Sequence, residues 1–278
     1  MNVSFFSRRA AKNAGWLIAG RVLHMALAFL VNLLTARYLG PSNYGLVNYA
    51  ALYTAFFTSF ATLGLSSLLL KDFMENPKDA GIAVGTAIAM RLLSSTLSAI
   101  SIVAIVAVVD QGERLTMTVV ALYSMSLIFQ AFDTIQYWFQ SRLESQYSTI
   151  ATSVGYIIVS AYKVLLLVLG KDVRWFAISN TVDYAVAAVV FLGLYKWRGG
   201  PQLHISSAKG RALLRQSGSF ILCGLMVSVY NCTDRFMLKH LLDEASVGYY
   251  ATATSLATVW TFVLSAIIDS ITPGIMQA

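Results

Sequence analysis

Eight apolar runs, each long enough to cross a bilayer, leave little of the chain for anything else. They lie at roughly 15–36, 45–69, 82–109, 115–139, 148–169, 175–195, 216–238 and 247–270. A hydrocarbon core requires about 20 apolar residues per helix, with a range of about 17 to 25, so each run is expected to span. Composition agrees: 57% of the 278 residues are hydrophobic, 12% are charged and mean hydropathy is +0.67, whereas a soluble domain is about 25% charged. The breaks between runs are short and polar or helix-stopping: GPSN at 40–43, KDFMENPKD at 71–79, DQGER at 110–114, QSRLESQ at 140–146 and GKDVR at 170–174.

The longest break, 196–216, carries the strongest Gly/Pro/Ser punctuation inside the chain. It divides an N-terminal unit of six spans (1–195) from a second, incomplete unit of two (216–278), with 196–215 as the linker. Within the linker, SSAKGRALLR at 206–215 reads as a basic amphipathic turn or short helix lying on lipid headgroups. An internal echo supports the division. The early segment ARYLGPSNYGLVNYAAL (36–52), moved by 203 positions, sets Leu39 on Leu242, Tyr44 on Val247, Gly45 on Gly248 and Ala50 on Ala253. Each copy reads as a helix ending, a short turn, and a glycine opening the next helix.

Lys and Arg set the expected orientation. With the N-terminus inside, eleven of them fall on the inner side, five on the outer side, and Arg21, Arg91, Lys163 and Arg235 within spans. The N-terminus is therefore expected in the cytoplasm, and the apolar run after its basic start is too long for a signal peptide. The same bias accounts for most of the +7 net charge, so the basic pI does not point to nucleic acid. Cys223 and Cys232 fall on opposite helix faces and predict no intramolecular disulfide. His24, His204 and His240 fit no metal-ligand spacing. There is no GxxxxGK[ST] loop, HExxH or DxD motif, and no soluble domain to house such chemistry.

Ionisable side chains at bilayer depth cost at least a few kcal/mol each and usually face an interior or a wet cavity. Here they fall on helical stripes. Arg21, His24, Ala28 and Asn32 share a face of the first span; Arg91, Ser94, Ser95 and Ser98 of the third; Ser126, Gln130, Asp133 and Tyr137 of the fourth; Ser153, Tyr156, Ser160 and Lys163 of the fifth. The sixth adds Asn180 and Asp183. Five of the first six spans thus carry polar stripes, as the walls of a hydrated cavity do. Snorkelling is the alternative for Arg21, Asp133 and Lys163 near span ends, and membrane serines are commonly packing contacts. Arg91, about nine residues into its span, is hardest to explain that way.

Three segments carry a resemblance to a known family: Ala36-Arg37-Tyr38-Leu39-Gly40-Pro41 with Tyr44-Gly45; Thr233-Asp234-Arg235-Phe236-Met237-Leu238 with Val247-Gly248-Tyr249-Tyr250; and Leu213-Leu214-Arg215-Gln216-Ser217. In order and spacing the chain resembles Wzx-type polysaccharide flippases of the MOP exporter superfamily. The resemblance implies an all-α polytopic fold of one complete six-helix lobe plus the first two helices of a second, parallel-repeat lobe. Members usually have at least twelve spans, so it also implies a truncated sequence. The implied activity is not enzymatic: an undecaprenyl-pyrophosphate-linked oligosaccharide crosses the bacterial inner membrane by alternating access, without cofactor or metal.

In that reading Arg21, Arg91 and Lys163 contact the anion; Asp133, Asp183, His24 and Asn32 support them or couple ions; Arg37, Gly40, Gly45, Asp234, Arg235 and Gly248 organise the hinges. The implied partners are the lipid-linked sugar and the bilayer, with a polysaccharide polymerase and chain-length proteins as candidates and nucleic acid excluded. A MATE-like cation-coupled drug antiporter is the alternative, kept open by Asp133 and Asp183. A membrane polymerase or ligase fits less well, because the outer loops are only a few residues long.

Overall fold

The computed structural model describes the backbone of residues 3–257 and the side chains from residue 15 onward, except those of 17–19 and 21. Every regular element in it is helical. In chain order these are α1 (Val3–Ala61), α2 (Ser66–Glu75), α3 (Ala80–Val109), α4 (Arg114–Ser124), α5 (Ser126–Gln130), α6 (Thr134–Ser141), α7 (Ser145–Val168), α8 (Val173–Trp197) and α9 (Ser207–Leu241). Single 3-10 turns lie at Pro77–Asp79 and Ala131–Asp133. A last helix, α10, begins at residue 244 and is described to 257, so most of the expected span at 247–270 lies outside the described residues. Among the described residues six stretches are long and apolar enough to cross a membrane; the chain is an all-α polytopic membrane protein.

Four expected boundaries are corrected. GPSN at 40–43 is not a loop but a kink inside α1, where Gly40 takes φ 73° and ψ 171° and Pro41 restarts the helix, as proline does at a first helical turn. The left-handed φ favours glycine there. A straight helix of α1's 59 residues would be about 90 Å long at 1.5 Å per residue, three times the ~30 Å core, so the kink makes two spans of it. The second of these stops at Ala61 rather than 69, because Leu63 and Gly64 both turn into positive φ (54° and 57°). The fourth expected span is not one helix but three, α4, α5 and α6, with the 3-10 turn between the last two. Finally, Ser207–Arg215 is the first turns of α9 instead of a separate surface helix, capped by the Ser206 hydroxyl accepting from the Lys209 amide.

The element ends gather at two poles. At the hinge pole, the kink of α1 meets the 110–113, 169–172 and 242–243 turns: Tyr38 donates to the Lys171 carbonyl (3.2 Å) and Ser42 to Glu244 (3.2 Å). At the linker pole, residues 201–206 lie across the start of α3, with the Ser206 amide on the Thr86 hydroxyl at 3.0 Å and Lys209 on Asp72 at 2.6 Å. Two apolar clusters fill the bundle, one around Tyr49, Ile102, Val106, Val119 and Phe176, the other around Leu69, Val84, Ile135, Phe139 and Phe191. The buried edge of α3 runs Val84, Ile88, Arg91, Ser95, Ser98, Ile102, Val106. Its ends belong to the two clusters and its middle is polar.

The echoed glycines face each other. A Cβ on Gly45 would lie 1.8 Å from the Glu244 carbonyl oxygen, and one on Gly248 would lie 2.2 Å from that of Pro41. The partners, like the glycines, are 203 residues apart, so the contact is reciprocal in the way a local twofold requires. Below it, α9 runs antiparallel to the second arm of α1 over small residues: Gly224 against Ser59, Ser228 against Ser59 at 3.2 Å, Cys232 against the Leu52 carbonyl. Small residues allow such close approach where lipid supplies no hydrophobic drive.

An ionic cluster closes the same pole. Lys239, its side chain only 9% exposed, reaches Glu113 at 3.0 Å and Glu244 at 2.8 Å and lies 5.6 Å from the Tyr49 ring. The Thr116 hydroxyl (2.7 Å) and Lys239 hold the Glu113 carboxyl below the usual carboxylate range. Asp110, which accepts from the Tyr49 hydroxyl at 3.0 Å, is instead raised by burial, an effect that hydrogen bond and Lys239 only partly offset.

Two outcomes follow. Gly248→Ala should destabilise by about 1–3 kcal/mol, the usual cost of overpacking, because its Cβ meets backbone that cannot rotate away; Gly218→Ala, with open space around it, should not. A thermal-unfolding comparison of the two purified variants checks this. Asp110→Asn should raise the melting temperature at neutral pH: the raised acid costs the wild type stability as pH climbs through its folded value. The difference should vanish on acidification, and an unchanged difference at low pH would contradict the assignment.

Candidate functional site

At mid-height of the bundle, between the two apolar clusters, polar side chains from four elements converge. Arg91 is 2% exposed. Its Nη1 donates to the Thr134 hydroxyl (3.0 Å) and its Nη2 to the Gln130 carbonyl (3.0 Å). Both acceptors flank the 3-10 turn at Ala131–Asp133, so Arg91 ties α3 to the point where the helix tightens. Ser95 and Ser98 are buried on the same face as Arg91, whereas Ser94 turns aside and donates to the Phe60 carbonyl at 2.6 Å. Arg91 thereby places a positive charge beside the break, inside the bundle.

The other charges continue from there. Asp133 lies within the field of Arg91 and of Asp183. Asp183, on α8, lies within that of Lys163 on α7, and Lys163 within that of His24 on α1. Gly155 lets α7 come close: a Cβ there would sit 3.1 Å from Asp183 Oδ1. Arg91, Asp133, Asp183, Lys163 and His24 are therefore linked pair by pair through their fields, as one row of charge in the bundle. Hydrogen-bonding capacity is left over in it. Among the described residues, Arg91 Nε, Gln130 Oε1 and Ser160 Oγ are buried without a partner.

The first-span stripe divides. His24 packs against Tyr156 with ring centres 3.8 Å apart and planes tilted by 45°, and borders a cavity lined by amide and hydroxyl residues between α1, α6 and α7. Asn32 lines a different cavity, a mostly apolar groove of about 220 Å³ between α1 and α10, shared with Tyr44, Thr252 and Ser255. The Arg21 side chain lies outside the described residues. Of the hinge positions, Arg37 is exposed at the wall of a neighbouring groove. Asp234 accepts from the Arg235 amide at 2.8 Å and from the Tyr250 hydroxyl, which ties α9 to α10. Arg235 Nε has no described partner. Sequence reasoning missed Thr134, Gln136 and Gln140, which stand outside the stripes drawn around the ionisable residues. It also assigned Lys239 to loop charge only.

No group of three or more His, Cys, Asp or Glu side chains suited to a metal ion occurs among the described residues. Comparison with curated proteins and with solved structures gives no match. A family model described as polysaccharide biosynthesis protein matches residues 10–278. That match takes in both arms of α1, the polar layer and both echoed hinges, and the chain belongs to the polysaccharide biosynthesis protein family.

Proposed function

We propose that the chain is a flippase that carries an undecaprenyl-pyrophosphate-linked oligosaccharide from the inner to the outer leaflet of a bacterial inner membrane. The observation that carries this reading is the charged row at mid-height, with Arg91 buried and Asp133, Lys163 and Asp183 half-buried, in a polytopic member of the family. A pyrophosphate headgroup can cross hydrocarbon only where charge and hydrogen bonds replace its water. Arg91 and Lys163, with Arg21, are the proposed anion contacts. Asp133 and Asp183 keep the empty row near neutrality, so an arriving anion displaces carboxylates from cations instead of entering an excess of positive charge. His24 and Asn32 extend the lining toward the two cavities.

The excess of Lys and Arg at the linker pole, among them Lys71, Lys78, Arg142, Lys196, Arg198, Lys209, Arg211 and Arg215, supports placing that pole and the N-terminus in the cytoplasm. The reciprocal contact of Gly45 and Gly248 supports a second lobe that repeats the first, with α9 and α10 as its opening helices and Arg37, Gly40, Asp234 and Arg235 shaping the two hinges. Alternating access then consists of the lobes rocking about a site between them. The polymerase and chain-length machinery of the outer face are the partners this reading implies. A second reading, a cation-coupled antiporter of small molecules, is favoured only by Asp133 and Asp183 lying in one another's field. Leaflet-resolved lipid-linked sugar in a deletion strain, set against its drug sensitivity, separates the two.

Lys163→Ala should cut surface polysaccharide at least tenfold in a complemented deletion strain while the amount of protein in the membrane is unchanged. Arg91→Ala should abolish export and also lower the protein level, since it strips the Gln130 carbonyl and Thr134 of their donor. Arg91→Lys should recover the level more than the export. Normal export by Lys163→Ala would remove that cation from the site.

A further inference from the structure

Beside the charged row lies a cavity of about 210 Å³ whose described lining holds no Asp, Glu, Lys or Arg. Gly20 and His24 come from α1, Gln136 and Gln140 from α6, and four hydroxyl residues from the 148–153 stretch of α7. Gly20 sets the approach of the helices, since a Cβ there would lie 2.3 Å from Thr149 Cγ2. Gln136 and Gln140 are one helical turn apart and so share a face. Neither side-chain amide is engaged in a hydrogen bond with another described residue, so each offers two donors and one acceptor. On α7 the hydroxyls are oriented by their own helix: Ser148 donates to the Ser145 carbonyl (2.8 Å) and Thr152 to that of Ser148 (3.1 Å), which leaves their lone pairs free to accept. At the side nearest the charged row, His24, tilted against Tyr156, supplies aromatic surface.

Resting on the flippase reading above, we infer that this cavity is a sugar subsite, in which the carrier's first monosaccharide is held while its pyrophosphate lies along the Lys163 side of the row. The chemistry selects for a sugar. Neutral amides and hydroxyls in both donor and acceptor roles match sugar hydroxyls, which also do both, whereas a phosphate calls for donors and positive charge. The volume is about seven times the ~30 Å³ share of one water in the liquid, which suits one ring. His24 touches both regions, within the field of Lys163 and on the cavity wall, so the subsite and the anion contacts are joined as a glycosyl pyrophosphate is joined.

The test measures binding to the purified full-length chain in lipid nanodiscs. The probes are undecaprenyl pyrophosphate alone and the same carrier bearing glucose, galactose or an N-acetylhexosamine. The wild type should bind at least one sugar-loaded carrier about tenfold more tightly than the bare one, and in Gln136→Leu/Gln140→Leu that ratio should fall to about one. Should the double variant not fold, Ser153→Ala is expected to reduce the ratio two- to threefold. Equal affinity of the wild type for bare and all loaded carriers, or a ratio unaltered in the variants, overturns the subsite and leaves the flippase reading standing. Failure of the wild type to bind any of the carriers overturns the flippase reading, and the subsite with it.

Discussion

The guanidinium of Arg91 on the carbonyl of Gln130 is the contact on which the middle of this bundle depends. At bilayer depth no water is at hand to solvate a charge or a strained backbone, and Arg91 is satisfied instead by that carbonyl and the Thr134 hydroxyl, at the 3-10 turn between α5 and α6. A hydrogen bond involving a charged group contributes about 1.5–3 kcal/mol, while an arginine at the centre of a membrane helix costs at least about 2.5–3.5 kcal/mol on insertion scales. The two nearly offset. Arg91 still keeps Nε without a partner, so the layer is held together without being saturated. Such a site can exchange an internal partner for an external one at small net cost.

That balance also explains which parts of the fold were legible in sequence. The approximate positions of the spans among the described residues follow from run length, because hydrocarbon thickness imposes it. The breaks in the fourth run do not follow. SMSLIFQAFDT contains no proline or glycine, and the turn is stabilised from outside, by Arg91 some forty positions earlier. At the end of the second run the turn hides in apolar sequence, with Leu63 itself at positive φ. GPSN looked like a loop because glycine and proline usually mark one, yet the same pair fits a helix that stops and restarts.

The site divides along the same line. A charge inside an apolar run is conspicuous, so Arg91, Asp133, Lys163 and Asp183 stand out at once, and helical spacing correctly grouped Arg91 with Ser95 and Ser98. Spacing placed Ser94 with them too, but the side chain leans the other way, to Phe60 of α1. Neutral residues stood out only where they shared a face with a charge, as Gln130 and Ser153 do. Gln136 and Gln140 acquire meaning only when α1 and α7 close a cavity around them. Lys239 read as an ordinary loop cation until Glu113, 126 positions away, and Glu244, 5 positions away, were brought to it.

The hinge pole adds a mechanical consequence. Its tightest contact, Gly45 against Gly248, is backbone on backbone, so no side chains interlock across it and separating the helices has no rotamer barrier to overcome. Its ion pairs join Lys239 to carboxylates whose side chains are 45% and 28% exposed; ion pairs with that much solvent access contribute about 0–1 kcal/mol. The linker pole is different in kind, since residues 201–206 are chain laid across Gly81 and Gly85 with backbone contact, and connectivity keeps them near. In the proposed rocking of the lobes, the linker holds one pole together and the contacts between Gly45 and Gly248 are the ones that would have to part. The polar layer lies between the two poles, where such parting changes its access to water.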